Sequence, residues 1–98
     1  MDSKKMIKIT IFAYGRLKEY FPEKTDLAVS ENSSLKDILI TFSRSSEDGG
    51  SLIFDCSGHL RRNLIVQLNQ KRVLNSSIHS VLPKDGDEII IYPPVSGG

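Results

Sequence analysis

The sequence predicts an α+β domain, a mixed sheet with one main helix laid across it. Three observations lead there. Lys4 to Ala13 alternates apolar and polar side chains with the period of a strand. Leu35, Ile38, Leu39 and Phe42 recur at the i, i+3, i+4, i+7 spacing of a helix, which gathers them on one stripe. Glu88 to Tyr92 holds the unbroken apolar run Ile89-Ile90-Ile91, the pattern of a central strand covered on at least one face.

The first strand puts Ile7, Ile9, Ile11 and Ala13 on one face and Met6, Lys8, Thr10 and Phe12 on the other. Gly15 starts a turn, and Arg16 to Tyr20 reads as one helical turn that stops before Pro22. Thr25 to Ser30, with Leu27 and Val29, is the return strand. Glu31-Asn32-Ser33-Ser34 is a turn cluster. Ser33 or Ser34 caps the helix that follows, and Asp37 in its first turn suits the helix dipole. Ser43 to Ser51 is polar and contains Gly49-Gly50, so it reads as a mobile loop with Leu52-Ile53-Phe54 packed beneath it. Leu64 to Leu68 is the third strand, turned back by Asn69-Gln70-Lys71. Ile78, Val81 and Leu82 supply scattered apolar contacts, and Lys84-Asp85-Gly86-Asp87 is a tight turn into the last strand. The order is β-β-α-β-(β)-β.

Composition narrows the classes of function. Ninety-eight residues build one modest core, because a chain this short buries only about 60–65% of its unfolded surface. Lys and Arg number 13 against 12 Asp and Glu, without the basic excess of a dedicated nucleic-acid binder. No apolar run approaches the roughly 20 residues that span a bilayer, so no membrane partner is expected. The start, Met1 to Met6, has lysines but neither a long apolar stretch nor a small-residue cleavage pattern, and is not expected to be a signal peptide. The single cysteine, Cys56, has no internal partner for a disulfide, which fits a reducing, cytoplasmic compartment.

Conventional catalytic motifs are missing: there is no CxxC, HExxH, GxSxG or phosphate-binding glycine loop. Cys56 and His59 stand three apart in a turn, where a thiolate seldom finds its base, and a small, partly buried thiol is the better reading of Cys56. His59 and His79 make an incomplete metal site and read as surface histidines, so no metal is expected.

The C-terminus is different. The chain ends Tyr92-Pro93-Pro94-Val95-Ser96-Gly97-Gly98. Two prolines cannot continue the sheet and stiffen the exit from it. Val95 to Gly98 then offers a thread about 13 Å long at full extension. Glycines carry no side chain, so such a thread enters a channel too narrow for other residues, and its terminal carboxylate is sterically open to activation. A frayed terminus is the ordinary alternative, but it does not account for strand, Pro-Pro, small residues and Gly-Gly in succession.

Three stretches resemble the MoaD/ThiS family of ubiquitin-like sulfur carriers. They are Ile11-Phe12-Ala13-Tyr14-Gly15-Arg16-Leu17, the segment from Asp55 through Asn69, and Asp85 through Gly98 with its Pro-Pro-Val-Ser-Gly-Gly ending. The last is closest to MoaD, the small subunit of molybdopterin synthase. The resemblance implies a β-grasp (ubiquitin-like) fold as a single domain over 1–98, with 93–98 as a protruding reactive tail. It implies that a ubiquitin-activating-type enzyme uses ATP to adenylate the Gly98 carboxylate and that a sulfur-donor protein supplies sulfur to give a thiocarboxylate. The carrier itself retains no cofactor. The tail, with Gly97 beside Gly98, then enters the large subunit of molybdopterin synthase to donate sulfur in molybdenum-cofactor synthesis.

The same resemblance assigns partner contacts to Phe12, Arg16, Tyr92, Pro93, Pro94, Val95 and Ser96. Phe12 also stands out on its own terms, as an aromatic on the polar face of its strand. It belongs either to a second core or to an interface, and the interface is the favoured reading. Arg72 stands where compact relatives often place an apolar contact. Some longer relatives form isopeptide bonds from this glycine to target lysines, and others carry sulfur for tRNA thiolation or thiamin. All of these uses begin with the same adenylate.

Overall fold

The computed structural model describes residues 5–62 and 64–93. Strand β1 (Met6–Ala13) pairs antiparallel with β2 (Lys24–Ser30), with Ile7 opposite Val29 and Ile9 opposite Leu27. Ile9, Ile11 and Ala13 are fully buried, and Ile7 nearly so, as the alternation requires. Between the two strands the chain passes through a single 3-10 turn, Gly15–Glu19, which buries Leu17. Phe21 follows and stacks on Phe42, with ring centroids 4.5 Å apart.

Helix α1 (Leu35–Ser43) begins at a reciprocal cap. The Asp37 amide donates to Ser34 Oγ at 3.1 Å, and the Ser34 amide donates to Asp37 Oδ2 at 3.3 Å. Both orphan donors at the helix start are thereby satisfied. Leu35, Ile38, Leu39 and Phe42 all face the core.

The expected mobile loop over Ser43 to Ser51 is corrected by the structure. Glu47–Ile53 forms a second helix, α2, with Ser46 Oγ accepting from the Gly49 amide at 3.0 Å. Two glycines in seven residues argued against a helix on propensity. Packing overrides that argument. A Cβ on Gly49 would lie 2.6 Å from both Phe21 Cε2 and Tyr20 Cβ, so glycine lets α2 press onto the segment after the 3-10 turn. Ile53, at the end of α2, is fully buried. Among the described residues the main helix α1 is therefore joined by a second, shorter one.

Strands β3 (Ile65–Leu68) and β4 (Lys71–Val73) form a short hairpin. Its two turn residues, Asn69 (φ 52°) and Gln70 (φ 72°), are both left-handed, the requirement of a tight two-residue hairpin turn. After a second 3-10 turn at Asn75–Ser77, strand β5 (Glu88–Tyr92) enters the middle of the sheet. The strand order is β2-β1-β5-β3-β4, with β1 and β5 parallel and the other pairs antiparallel. The central position expected for β5 holds. A five-stranded mixed sheet with helices on one face is the β-grasp arrangement. Buried residues from β1, β3, β5, α1 and α2 make one contiguous cluster.

One smaller expectation fails. Cys56 is exposed, not partly buried. Asp55 Oδ1 accepts the amides of Ser57 (2.9 Å) and His59 (3.1 Å), and this tight turn holds Cys56 at its outer edge.

Candidate functional site

The ends of β1 and β5 define the site. Their parallel pairing sets Phe12 opposite Ile90 and Ala13 opposite Ile91. One residue further, the Tyr14 amide donates to the Ile91 carbonyl at 3.2 Å. β5 thus ends at Tyr92 against the point where β1 turns away, and Pro93 leaves the sheet there.

Side chains on this face alternate away from the core. Ile89 and Ile91 are fully buried beneath the helices, whereas Ile90 is half-buried on the opposite face. Phe12 shares that opposite face. Its ring is stacked with that of Tyr14, centroids 6.5 Å apart and planes 9° from parallel. Tyr14 in turn stacks on Tyr92, at 5.3 Å and 21°. Ile65 on β3 stands opposite Tyr92. The result is an apolar strip across three strands, with Phe12, Tyr14, Ile65 and Ile90 half-buried and Tyr92 37% exposed. Among the described residues no second layer covers it. Phe12 therefore lies in a partly exposed face and not in a second core.

Pro93 sits beside Gly15. A Cβ built on Gly15 would fall 2.9 Å from Pro93 Cγ, and Gly15 has a left-handed φ of 64°. Arg16 follows immediately and is exposed. The structure thus brings Phe12, Tyr92 and Pro93 together at the C-terminal ends of β1 and β5, with Arg16 following in sequence. Pro94, Val95, Ser96, Gly97 and Gly98 lie outside the described residues.

Tyr14, Gly15, Ile65 and Ile90 were not singled out as site residues from the sequence. Tyr14 had a local signal, since it sits two residues after Phe12 and shares its face. Gly15, Ile65 and Ile90 had none, because their part depends on which strands become neighbours.

The remaining candidates lie elsewhere. His59 and His79 are exposed and line one surface depression with Lys36. No cluster of three or more potential metal ligands occurs among the described residues. Backbone N–H bonds from His59 and Ser57 hold the Asp55 carboxyl below its ordinary range, against a smaller opposing effect of desolvation, with the His59 bond foremost. That carboxylate fastens a turn. Arg72 is exposed on β4, opposite Gln67. No helix among the described residues is long and apolar enough to cross a membrane.

Comparison with known proteins adds to this geometry. Residues 11–98 match the model of the ThiS family. Comparison with curated proteins finds no match. Among solved structures, the chain is similar to SAMP1 from Haloferax volcanii, with a TM-score of 0.82 and 22% identity over 93% of this chain and 99% of that one. It is similar to Urm1 from Trypanosoma brucei, with a TM-score of 0.71 and 19% identity over 98% and 100% of the two chains. It is also similar to a chain in the complex of subunits 1 and 2 of molybdopterin-converting factor from Helicobacter pylori, with a TM-score of 0.54 and 24% identity over 94% and 100%. At these identities the likeness establishes the fold.

Proposed function

The chain belongs to the ThiS family of ubiquitin-like sulfur carriers, and on that premise we propose that it carries sulfur as a thiocarboxylate on Gly98. The acceptor in this reading is the molybdopterin precursor, with the chain acting as the small subunit of molybdopterin synthase. The observation that carries the proposal is that the family match runs through the last residue, so it includes the Pro-Pro-Val-Ser-Gly-Gly ending.

The chemistry follows from the carboxylate. A Gly98 carboxylate oxygen attacks the α-phosphorus of ATP on a ubiquitin-activating-type enzyme. The bond to pyrophosphate breaks, leaving an acyl adenylate with AMP as a good leaving group. Sulfur at the sulfide level, delivered by a donor protein, attacks the acyl carbon. AMP departs with the bonding pair, and Gly98 ends as a thiocarboxylate. This chain supplies no acid or base to these steps. It contributes a thin terminus and a stiff proline exit, beside an apolar face. Phe12, Tyr14, Ile90 and Tyr92 form the docking surface, and aromatic side chains at the centre of such a patch carry most of the binding energy. The large synthase subunit then receives the tail and supplies the pocket.

The test is an intact mass after incubation with ATP, an adenylating enzyme and a sulfur donor. The expected result is one oxygen replaced by one sulfur, localised to Gly98. An unchanged mass, with the enzyme active on another carrier, would overturn the proposal. If the thiocarboxylate forms but molybdopterin does not appear with a cognate large subunit, another sulfur acceptor is in use. A ubiquitin-like modifier would pass its acyl group to a lysine amine instead, giving conjugates that vanish when Gly98 is deleted.

A further inference from the structure

A tail that must thread into a partner's channel needs a defined starting direction, and the root of this tail is held from two sides. On one side the Tyr14 amide donates to the Ile91 carbonyl at 3.2 Å, which extends the parallel ladder by one residue past Ala13. The Tyr14 ring then lies against the Tyr92 ring at 5.3 Å. On the other side Gly15 lies under Pro93. Its φ of 64° belongs to the left-handed region, and an added Cβ would meet Pro93 Cγ at 2.9 Å and Cδ at 3.1 Å. Glycine is thus favoured at this position twice, once by its left-handed backbone and once by the proline ring above it. The ring fixes Pro93 φ near −65°, so seating the ring also sets the direction of the backbone that leaves it.

We propose that Tyr14 and Gly15 are positioning residues for the C-terminal reaction, a clamp on Tyr92 and Pro93 that sets the direction in which the tail leaves the sheet. The functional consequence rests on the carrier reading above, whereas the clamp itself is geometric. Direction matters because of leverage. At about 3.3 Å per residue, a tilt of roughly 20° at Pro93 would move the tip of a fully extended five-residue tail by about 6 Å.

The experiment is ATP–pyrophosphate exchange by an adenylating enzyme, with the carrier as the varied substrate. Four proteins are compared: the wild type, Gly15→Ala, Pro93→Ala and the double variant, each checked for folding by circular dichroism. Gly15→Ala is expected to raise the KM of the carrier about tenfold while kcat stays within about twofold, as loss of docking geometry before the chemical step requires. On the Pro93→Ala background the same Gly15→Ala change should alter KM by less than about threefold, because the ring it strikes is gone. The left-handed strain of alanine is the same in both backgrounds, so a merely structural role for Gly15 would raise KM equally in both. Equal effects, or no effect of Gly15→Ala on the wild type, would overturn the clamp. If the wild type itself is not activated by an enzyme competent on another carrier, the carrier reading fails, and the clamp is judged by nuclear Overhauser contacts between Gly15 Hα and the Pro93 ring protons. Their presence in the wild type and loss in Gly15→Ala would support it, and their absence in the wild type would overturn it.

Discussion

The rings of Tyr14 and Tyr92 lie 5.3 Å apart between centroids, at 21° to one another, although the two residues belong to opposite ends of the chain. Tyr14 also stacks on Phe12, so it is the middle ring of a row of three. Replacing it by alanine removes both contacts. At about 0.5–1.5 kcal/mol per aromatic pair, and with the ring half-exposed, the expected loss of stability is about 1–2 kcal/mol. Tyr14→Phe keeps the stacking and should behave as the wild type. Urea unfolding of the three proteins checks this, and equal midpoints for Tyr14→Ala and the wild type would refute the coupling.

Gly98→Ala separates chemistry from folding. A methyl group at the reactive carboxylate should obstruct a close-fitting channel, so thiocarboxylation, read by intact mass, is expected to fall to background. Unfolding free energy should stay within about 0.5 kcal/mol of the wild type, as for substitutions remote from a core. Normal activation of this variant would remove the narrow-channel argument.

Gly49→Ala opposes two known tendencies. Alanine is the better helix former by about 1 kcal/mol. Its Cβ, however, would lie 2.6 Å from Phe21 Cε2 and from Tyr20 Cβ. Overpacking of this kind costs about 1–3 kcal/mol. The net expectation is destabilisation of about 1–2 kcal/mol, the balance of overpacking against helix propensity. Chemical denaturation decides it, and a stabilised variant would mean that α2 does not pack this closely.

Asp55 adds a pH dependence whose sign is fixed by its hydrogen bonds. Its carboxyl is held below the ordinary value of 3.8, first by the His59 amide. A depressed folded value means that the ionised form is favoured by folding, so the stabilisation is complete above the unfolded pKa and is lost as pH falls through the lower folded one. Asp55→Asn retains the acceptor oxygen and loses the charge. Melting temperatures of the wild type and this variant should therefore differ by a constant amount near neutral pH and converge below about pH 4, the unfolded carboxylate range. Parallel curves down to the acid limit would show that the charge is not used.

Local rules were enough for much of this fold. The alternation from Ile7 to Ala13, the Leu35–Phe42 stripe with its Ser34 cap, and the turn at Lys84–Asp87 each depend on neighbours a few residues away, and each is present. Helix α2 was missed because Gly49 and Gly50 weaken a helix everywhere except against a close neighbour, and that neighbour, Phe21, comes from a distant segment. Cys56 was misplaced because its exposure follows from the Asp55 turn, which depends on one side-chain oxygen accepting two amides.

The sequence by itself determined the class of fold, the central placing of Glu88–Tyr92 and the Pro-Pro to Gly-Gly ending, because periodicity, capping and proline geometry act over short spans of chain. Only the tertiary structure decided that β1 and β5 run side by side in parallel. That pairing is a matter of which apolar faces bury one another, and no local pattern encodes it. It alone sets Tyr14 on Tyr92 and Gly15 beneath Pro93, so the seating of Pro93 is a property of the folded sheet, whereas the Pro-Pro to Gly-Gly ending is legible in the sequence itself.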